Sequence, residues 1–303
     1  MDVRQLRALE AVAEHGSFSA AADALHTVQS NVSAHVARLE RELGATLVQR
    51  SGCMLTPEGE VVVNRARRVA AELDAIAADV AALRQEVTGS VRLGLIGTTG
   101  RWLAPHLLAA VAAQHPGVKL RLFEGTSSSL QPQLGAGRLD MAVVNLPLPA
   151  GEFFTQPLFD EDIVLVVHRS DKRARRKVVD VADLDGVPLL LPMAGTAFRS
   201  ELDAAAKAAG VKLVAAAELD GVRLIASLTF DGHGPAVLPA TAVPRYLREE
   251  WRPVAVRGVP PRRIGVAQLR RGLPSAPARA VLAVLRAVVA DNAPEQSGVH
   301  LVR

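Results

Sequence analysis

The chain lacks the features that disulfide bonding, metal binding or membrane insertion would need. Its one cysteine, Cys53, excludes an intrachain disulfide, and with eight scattered histidines it argues against a structural metal site. No uninterrupted apolar run approaches the ~20 residues of a membrane-spanning helix. The amino terminus lacks the basic start and apolar core of a signal peptide, so a cytoplasmic location with no membrane partner is expected. Catalytic signatures are missing as well: there is no GxSxG elbow, no GxxxxGKS loop and no HExxH. The closest approach to a nucleotide loop runs from Gly94 to Gly100, but its spacing is GxxGxxG rather than GxGxxG. Neither an enzyme nor a cofactor is expected. Lysine is scarce beside alanine, arginine and valine, a composition typical of a GC-rich genome. With 303 residues at 49% hydrophobic, there is enough for one small unit and one or two larger domains.

The most informative stretch present is Ser17 to Leu43. Phe18, Ala21, Ala22 and Leu25 recur at helical spacing, and the alanines allow close approach of a second helix. In that second helix Val28, Val32, Val36 and Leu39 form a stripe to be buried. The opposite face carries Gln29, Ser30, Asn31, Ser33, His35 and Arg38, hydrogen-bonding groups whose lengths suit base edges and phosphates. Ser19 and Thr27 lie at the flanks. A plain helical hairpin with a polar outer face would share the pattern. Ala45 to Arg50 then reads as a short strand, followed by a turn and a second strand near Leu55, which together make a wing. Thr56 is placed as an N-cap and Pro57 as the first residue of the next helix, with Glu58 and Glu60 in its first turn.

Met in this order, the motifs SFSxAAxxL, QSxxSxxxxxLExxLG and LTPxG closely resemble those of LysR-type transcriptional regulators, and the resemblance extends over the whole chain. Two departures stand out: the wing between Arg50 and Leu55 is shorter than usual, and Val48 stands where phenylalanine is common. The resemblance implies a winged helix-turn-helix at 1–58, a dimerisation helix at 59–89, and an effector-binding domain at 90–303. Double-stranded promoter DNA, a second copy of the chain as dimer or tetramer, a small effector and RNA polymerase are the implied partners. Ser19, Thr27, Gln29, Ser30, Asn31, Ser33, His35, Arg38 and Arg50 are the candidate DNA contacts.

Net charge does not locate the DNA. Through Arg68 eight arginines face eight acids, so the overall +4 arises later in the chain. Binding must rest on geometry, with Arg4, Arg7, Arg38, Arg50 and Arg65 toward DNA and Glu40, Glu42 and Glu58 turned away. The basic cluster at 172–177 reads either as a second footprint or as a solvated loop. From Glu58 to Val87, Val62, Val69, Ile76 and Leu83 recur every seven residues, and Ala66, Leu73, Val80 and Val87 repeat on an offset of four. That is the two-seam heptad of a helix that pairs with another, stopped by Thr88-Gly89-Ser90.

From Val91 short apolar strands alternate with helices, one of them begun by Pro105, in the βαβαβ order of a parallel sheet. A second series starts at Asp162, and Ile264 to Leu269 adds a late strand. Two α/β lobes, about 90–161 with 267–303 and 162–266, joined by crossings near Asp162 and Val266, give a periplasmic-binding-protein-like architecture. The ligand cleft belongs at the carboxyl ends of the strands, where hydroxyls and helix-start amides suit a carboxylate or phosphate. Candidate effector residues are Thr98, Thr99, Thr126, Ser127, Asn145, Thr196, Phe198 and His233, and the resemblance singles out Thr98 and Thr126. Arg101 and Arg199 are further candidate charges. N-capping and ordinary packing are the competing roles. Two other functions share parts of this pattern: a cytoplasmic solute-binding protein, which needs no reading helix, and a thiol-sensing regulator acting through Cys53.

Overall fold

The computed structural model describes residues 1–49, 51–149, 151–270 and 272–302. Three helices open the chain: α1 (Val3–His15), α2 (Phe18–Ala24) and α3 (Gln29–Leu43). Asp2 and Gln5 cap α1 reciprocally, Ser17 accepts from the Ala20 amide at 3.1 Å to start α2, and left-handed Gly16 and Gly44 end α1 and α3. Leu9, Val12, Ala21, Ala22, Val32, Val36 and Leu39 close one core. Two expected core positions are not in it: Val28 is 60% exposed at the N-cap of α3, and Leu25 is 37% exposed at the end of α2. Each lies just outside its helix, where the stripe has already turned from the core. Among the described residues the wing pairs through one antiparallel bridge, Val48 with Leu55.

Thr56 accepts from the Gly59 amide at 3.0 Å and Pro57 begins α4 (Pro57–Ala82), as capping and proline geometry dictate. This helix stops at Ala82 rather than near Val87, and Gly89 and Ser90, expected as linker, already belong to β1 (Gly89–Ile96). Val62 packs against the first core and Ala66 is buried. Farther along, Val69, Leu73, Ile76 and Val80 stay at 38–62% exposure on one face. Another face rests on the following domain: Arg68 donates to the Gly135 carbonyl, and Asp79 accepts from the Ala276 amide at 2.7 Å.

The remainder forms two lobes. In the first, β1, α5 (Gly97–Gln114), β2 (Val118–Gly125), α6 (Ser127–Gly135) and β3 (Met141–Leu146) alternate, and β1 pairs in parallel with both β2 and β3. Helix α5 begins at Gly97, so Pro105 lies inside it rather than at its start. The strand β4 (Phe153–Glu161) leads across to the second lobe, which contains β5 (Ile163–His168), β6 (Val178–Asp180), β7 (Pro188–Pro192), α7 (Ala197–Ala208), β8 (Val214–Leu219), α8 (Val222–Phe230), β9 (Ala236–Pro239) and β10 (Trp251–Arg257). The chain returns through β11 (Arg262–Leu269), α9 (Ala276–Asn292) and β12 (Val299–Leu301). Sheet orders are β12-β4-β11-β3-β1-β2 and β6-β10-β5-β9-β7-β8. Because β11 pairs antiparallel with β3 and β4, it belongs wholly to the first lobe, and the return crossing falls at 258–261 rather than near Val266. Buried Glu161 joins the crossings, accepting from the Thr241 amide at 2.7 Å and Arg262 at 2.6 Å. Among the described residues, no helix is long and apolar enough to cross a membrane and no acid, histidine or cysteine cluster is arranged for a metal.

Candidate functional sites: a reading helix and an interlobe cleft

Helix α3 presents Gln29, Ser30, Asn31, Ser33 and Arg38 to solvent on the side away from Val32, Val36 and Leu39. Its N-cap, Val28, supplies no side-chain hydrogen bond, and of the first-turn amides only that of Asn31 is engaged, by the Val28 carbonyl at 3.0 Å, which leaves those of Gln29 and Ser30 for a phosphate. Asn31 donates to the Thr27 hydroxyl at 3.0 Å, so those two side chains are oriented together. Ser19 on α2 is exposed, whereas His35 is half-buried and lowers the Asp2 carboxyl only as a minor contributor behind the Gln5 amide. Arg50 lies outside the described residues. Two acids are consumed internally. Glu40 accepts from the Leu47 and Val48 amides at 2.7 and 3.2 Å, and Glu42 accepts from Gln5 at 3.1 Å and from the amino terminus. A balanced charge count therefore still permits a reading side without opposing carboxylates from this pair.

In the first lobe, the ends of β1, β2 and β3 bring Thr98, Thr99, Thr126, Ser127 and Asn145 to one edge. Helix α5 has no side-chain cap, and Thr98 and Thr99 in its first turn are buried. The hydroxyl of Thr99 and the side-chain carbonyl of Asn145 are both buried with no hydrogen-bond partner among the described residues. Thr126 is exposed and caps α6, accepting from the Ser129 amide at 3.2 Å while its hydroxyl meets that of Ser128 at 2.9 Å. Ser127 accepts from the Asn145 amide at 3.0 Å. Over this edge comes a residue that the sequence reading missed: Arg223, from the first turn of α8, pairs with Glu124 across the lobes, and a Cβ on Gly97 would lie 3.3 Å from both side chains. It stands in the helix that follows β8, at a strand end, but was hidden because α8 was not recognised.

The second lobe's candidates are more dispersed. Thr196 caps α7, accepting from the Arg199 amide at 3.3 Å and donating to the Met193 carbonyl at 2.9 Å. Phe198 is a core residue with the Arg262 guanidinium 5.7 Å from its ring centroid, so its ring face is already covered. Arg199 is engaged by Asp203 at 2.9 Å, Glu218 at 2.6 Å and the Pro192 carbonyl at 2.9 Å, and Arg101 donates to the Tyr246 hydroxyl at 3.2 Å. His233 is a correction: it lies between α8 and β9, at the amino-terminal edge of its strand, opposite the edge that faces the cleft. In a parallel unit, only loops that follow strands reach that cleft. The basic cluster reads as a solvated loop: Arg173 pairs with Asp171 and Arg176 with Asp183, each at 2.7 Å.

This architecture is matched by known families at both ends. The family described as "Bacterial regulatory helix-turn-helix protein, lysR family" matches residues 3–60, and "LysR substrate binding domain" matches residues 84–290. The chain belongs to the LysR family of transcriptional regulators. Like others of the family, this LysR-type regulator is a DNA-binding protein and not an enzyme. It is 31% identical to the DNA-binding transcriptional dual regulator OxyR of Escherichia coli K12, over 80% of this chain and 81% of that protein. It is 33% identical to a probable hydrogen peroxide-inducible genes activator of Streptomyces viridosporus, over 95% of this chain and 94% of that one. Full-length OxyR from Pseudomonas aeruginosa, in a cysteine-to-aspartate form, superposes with a TM-score of 0.77 at 27% identity, covering 95% of this chain and 94% of that chain. CbnR, solved with its target DNA, gives 0.66 at 27% identity, covering 97% of this chain and all of that chain. The LysR-type regulator thus has the two-lobed fold expected from its strand order, with the periplasmic proteins as an architectural analogy.

Proposed function

We propose that the chain regulates promoter output through a small anionic effector held at the ends of β1 and β3, under Arg223. One observation carries the reading: the Thr99 hydroxyl is buried without a partner in the first turn of a helix that has no side-chain cap. A buried hydroxyl left unbonded costs about 1–3 kcal/mol, and a bound acceptor recovers it. Helix-start amides and an arginine complete an environment for a carboxylate or phosphate. In the free protein Glu124 holds Arg223, and an incoming anion competes with that carboxylate for the same guanidinium. Exchange of this contact alters how the lobes sit, and the equilibrium between lobe arrangements is read out through paired α3 helices on DNA. Pairing occurs along Val69, Leu73, Ile76 and Val80 of α4. Gln29, Ser30, Asn31 and Ser33 are the base-reading candidates, with Arg38 toward the backbone, and contact with RNA polymerase converts occupancy into output.

The name of the Streptomyces viridosporus relative favours a second reading, a response to hydrogen peroxide. Peroxide chemistry through a thiol would have to use Cys53, because the matched effector domain at 84–290 contains no cysteine. The two readings separate on a reporter driven by a promoter that the chain is found to occupy. Screened with carboxylates, phosphate esters and peroxide, the reporter is expected to respond to an anion, with the half-maximal concentration raised at least tenfold by Arg223→Ala. A response to peroxide alone, lost on Cys53→Ser, would contradict the anion reading.

A further inference from the structure

A groove of about 1060 Å³ lies between α4 and the first lobe, and its rim reaches Ser128, whose hydroxyl meets that of Thr126. Arg65, which the sequence places toward DNA, instead lines it with Arg68 from α4, Arg270 lines it from the end of β11, and Gln131 on α6 adds a polar side chain. Glu152 is the one acid among its described lining residues, so three guanidinium groups face a single carboxylate. Val61, Pro132, Phe153 and Leu269 supply apolar wall.

Arg68 is fitted into place rather than waving in solvent. One of its terminal nitrogens donates to the Gly135 carbonyl, and its stem lies 3.2 Å from where a Cβ on Gly137 would stand. Its Nε is buried and has no hydrogen-bond partner among the described residues. Three guanidinium groups around one carboxylate repel one another, so the arrangement favours an occupant that brings negative charge and acceptor oxygens. The volume exceeds what one inorganic ion fills and falls at the size of an organic ligand site.

We propose that this groove is a second ligand site, centred on α4 and lined by neither Thr99 nor Arg223, for a small organic polyanion bearing two or more carboxylate or phosphate groups. Such a ligand bridges α4 to the first lobe, with Arg65 and Arg68 on one side and Arg270 on the other. It therefore stiffens the joint between the reading domain and the effector domain. The site stands whether or not an anion also binds under Arg223.

Calorimetric titration of the full-length protein tests it, with citrate and inorganic pyrophosphate as probes and acetate as the monoanion, all at a fixed ionic strength of about 0.15 M to screen diffuse attraction. Binding of at least one polyanion and not of acetate is expected. Arg65→Ala with Arg270→Ala, both exposed positions, should weaken it at least tenfold, while Thr98→Val leaves it unchanged. Arg68→Lys, which keeps charge but removes the planar fork, should weaken it severalfold. Citrate binding without pyrophosphate binding assigns carboxylates, and the reverse assigns phosphates. Absence of polyanion binding, insensitivity to the arginine substitutions, or loss through Thr98→Val instead would each overturn the proposal.

Discussion

Gly59 shows how much one position in a short motif can be asked to do. A Cβ there would stand 2.1 Å from the Leu47 carbonyl oxygen, so α4 can lie against the wing strand only if this residue is glycine. Gly59→Ala is expected to cost about 1–3 kcal/mol through overpacking, read as a lower denaturation midpoint at unchanged slope. A midpoint equal to the parent's would mean that the close approach is absent. On α3, the polar side chains are exposed and carry no part of the core, so replacing Gln29, Asn31 and Ser33 together by alanine should leave the fold intact. Discrimination between operator and random DNA should fall by roughly 1–3 kcal/mol for each base-reading side chain removed, measured by competition binding. Undiminished discrimination would remove α3 from the reading role. These residues were legible in the sequence because helical spacing alone separates the buried valines from the polar face. The ends were less so, since Val28 and Leu25 continue the stripe in number but not in backbone conformation.

Among the elements, α4 carries the clearest expectation for assembly. It buries Val63 and Ala66 and docks on the effector domain through Arg68 and Asp79, yet leaves Val69, Leu73, Ile76 and Val80 uncovered at heptad spacing. At 26 residues the helix is about 39 Å long, enough for several such layers. Leu73→Glu with Val80→Glu places two carboxylates in that apolar face without touching the chain's own core. Sedimentation of the folded variant should show halved mass. An unchanged mass would refute pairing through this face. The heptad was readable, but its end was not: periodicity continues to Val87 although the helix stops at Ala82. Elements missed altogether have local causes. Strand β10 contains Pro253, tolerated because β6 pairs only with residues 255–257 and leaves that edge free. Strand β4 contains Pro157 at a register shift opposite Gly265. Helix α8 is short and largely apolar, a run that periodicity does not assign to helix or strand, and with it went Arg223.

For the whole molecule, the reading domain, the helix and the two-lobed half were each legible from caps, periods and strand order, because these are local signals. The cleft was legible in part. Strand-end loops were found by topology, but which hydroxyl is occupied and which is free depends on tertiary packing. Thr126 turns out to be held as a cap, whereas Thr99 is the orphan. The central claim is that regulation passes through this orphaned edge and not through a thiol. The most direct measurement is a reporter dose-response, on an occupied promoter, for three proteins: the parent, Thr98→Val with Thr99→Val, and Cys53→Ser. Valine preserves the shape of threonine and removes only the hydroxyls, so DNA affinity without effector should persist and thermal stability should hold or rise. The double valine variant is expected to lose the response to the inducing anion, and Cys53→Ser to keep it. A valine variant that responds like the parent, beside a serine variant that does not respond, would contradict regulation through the cleft.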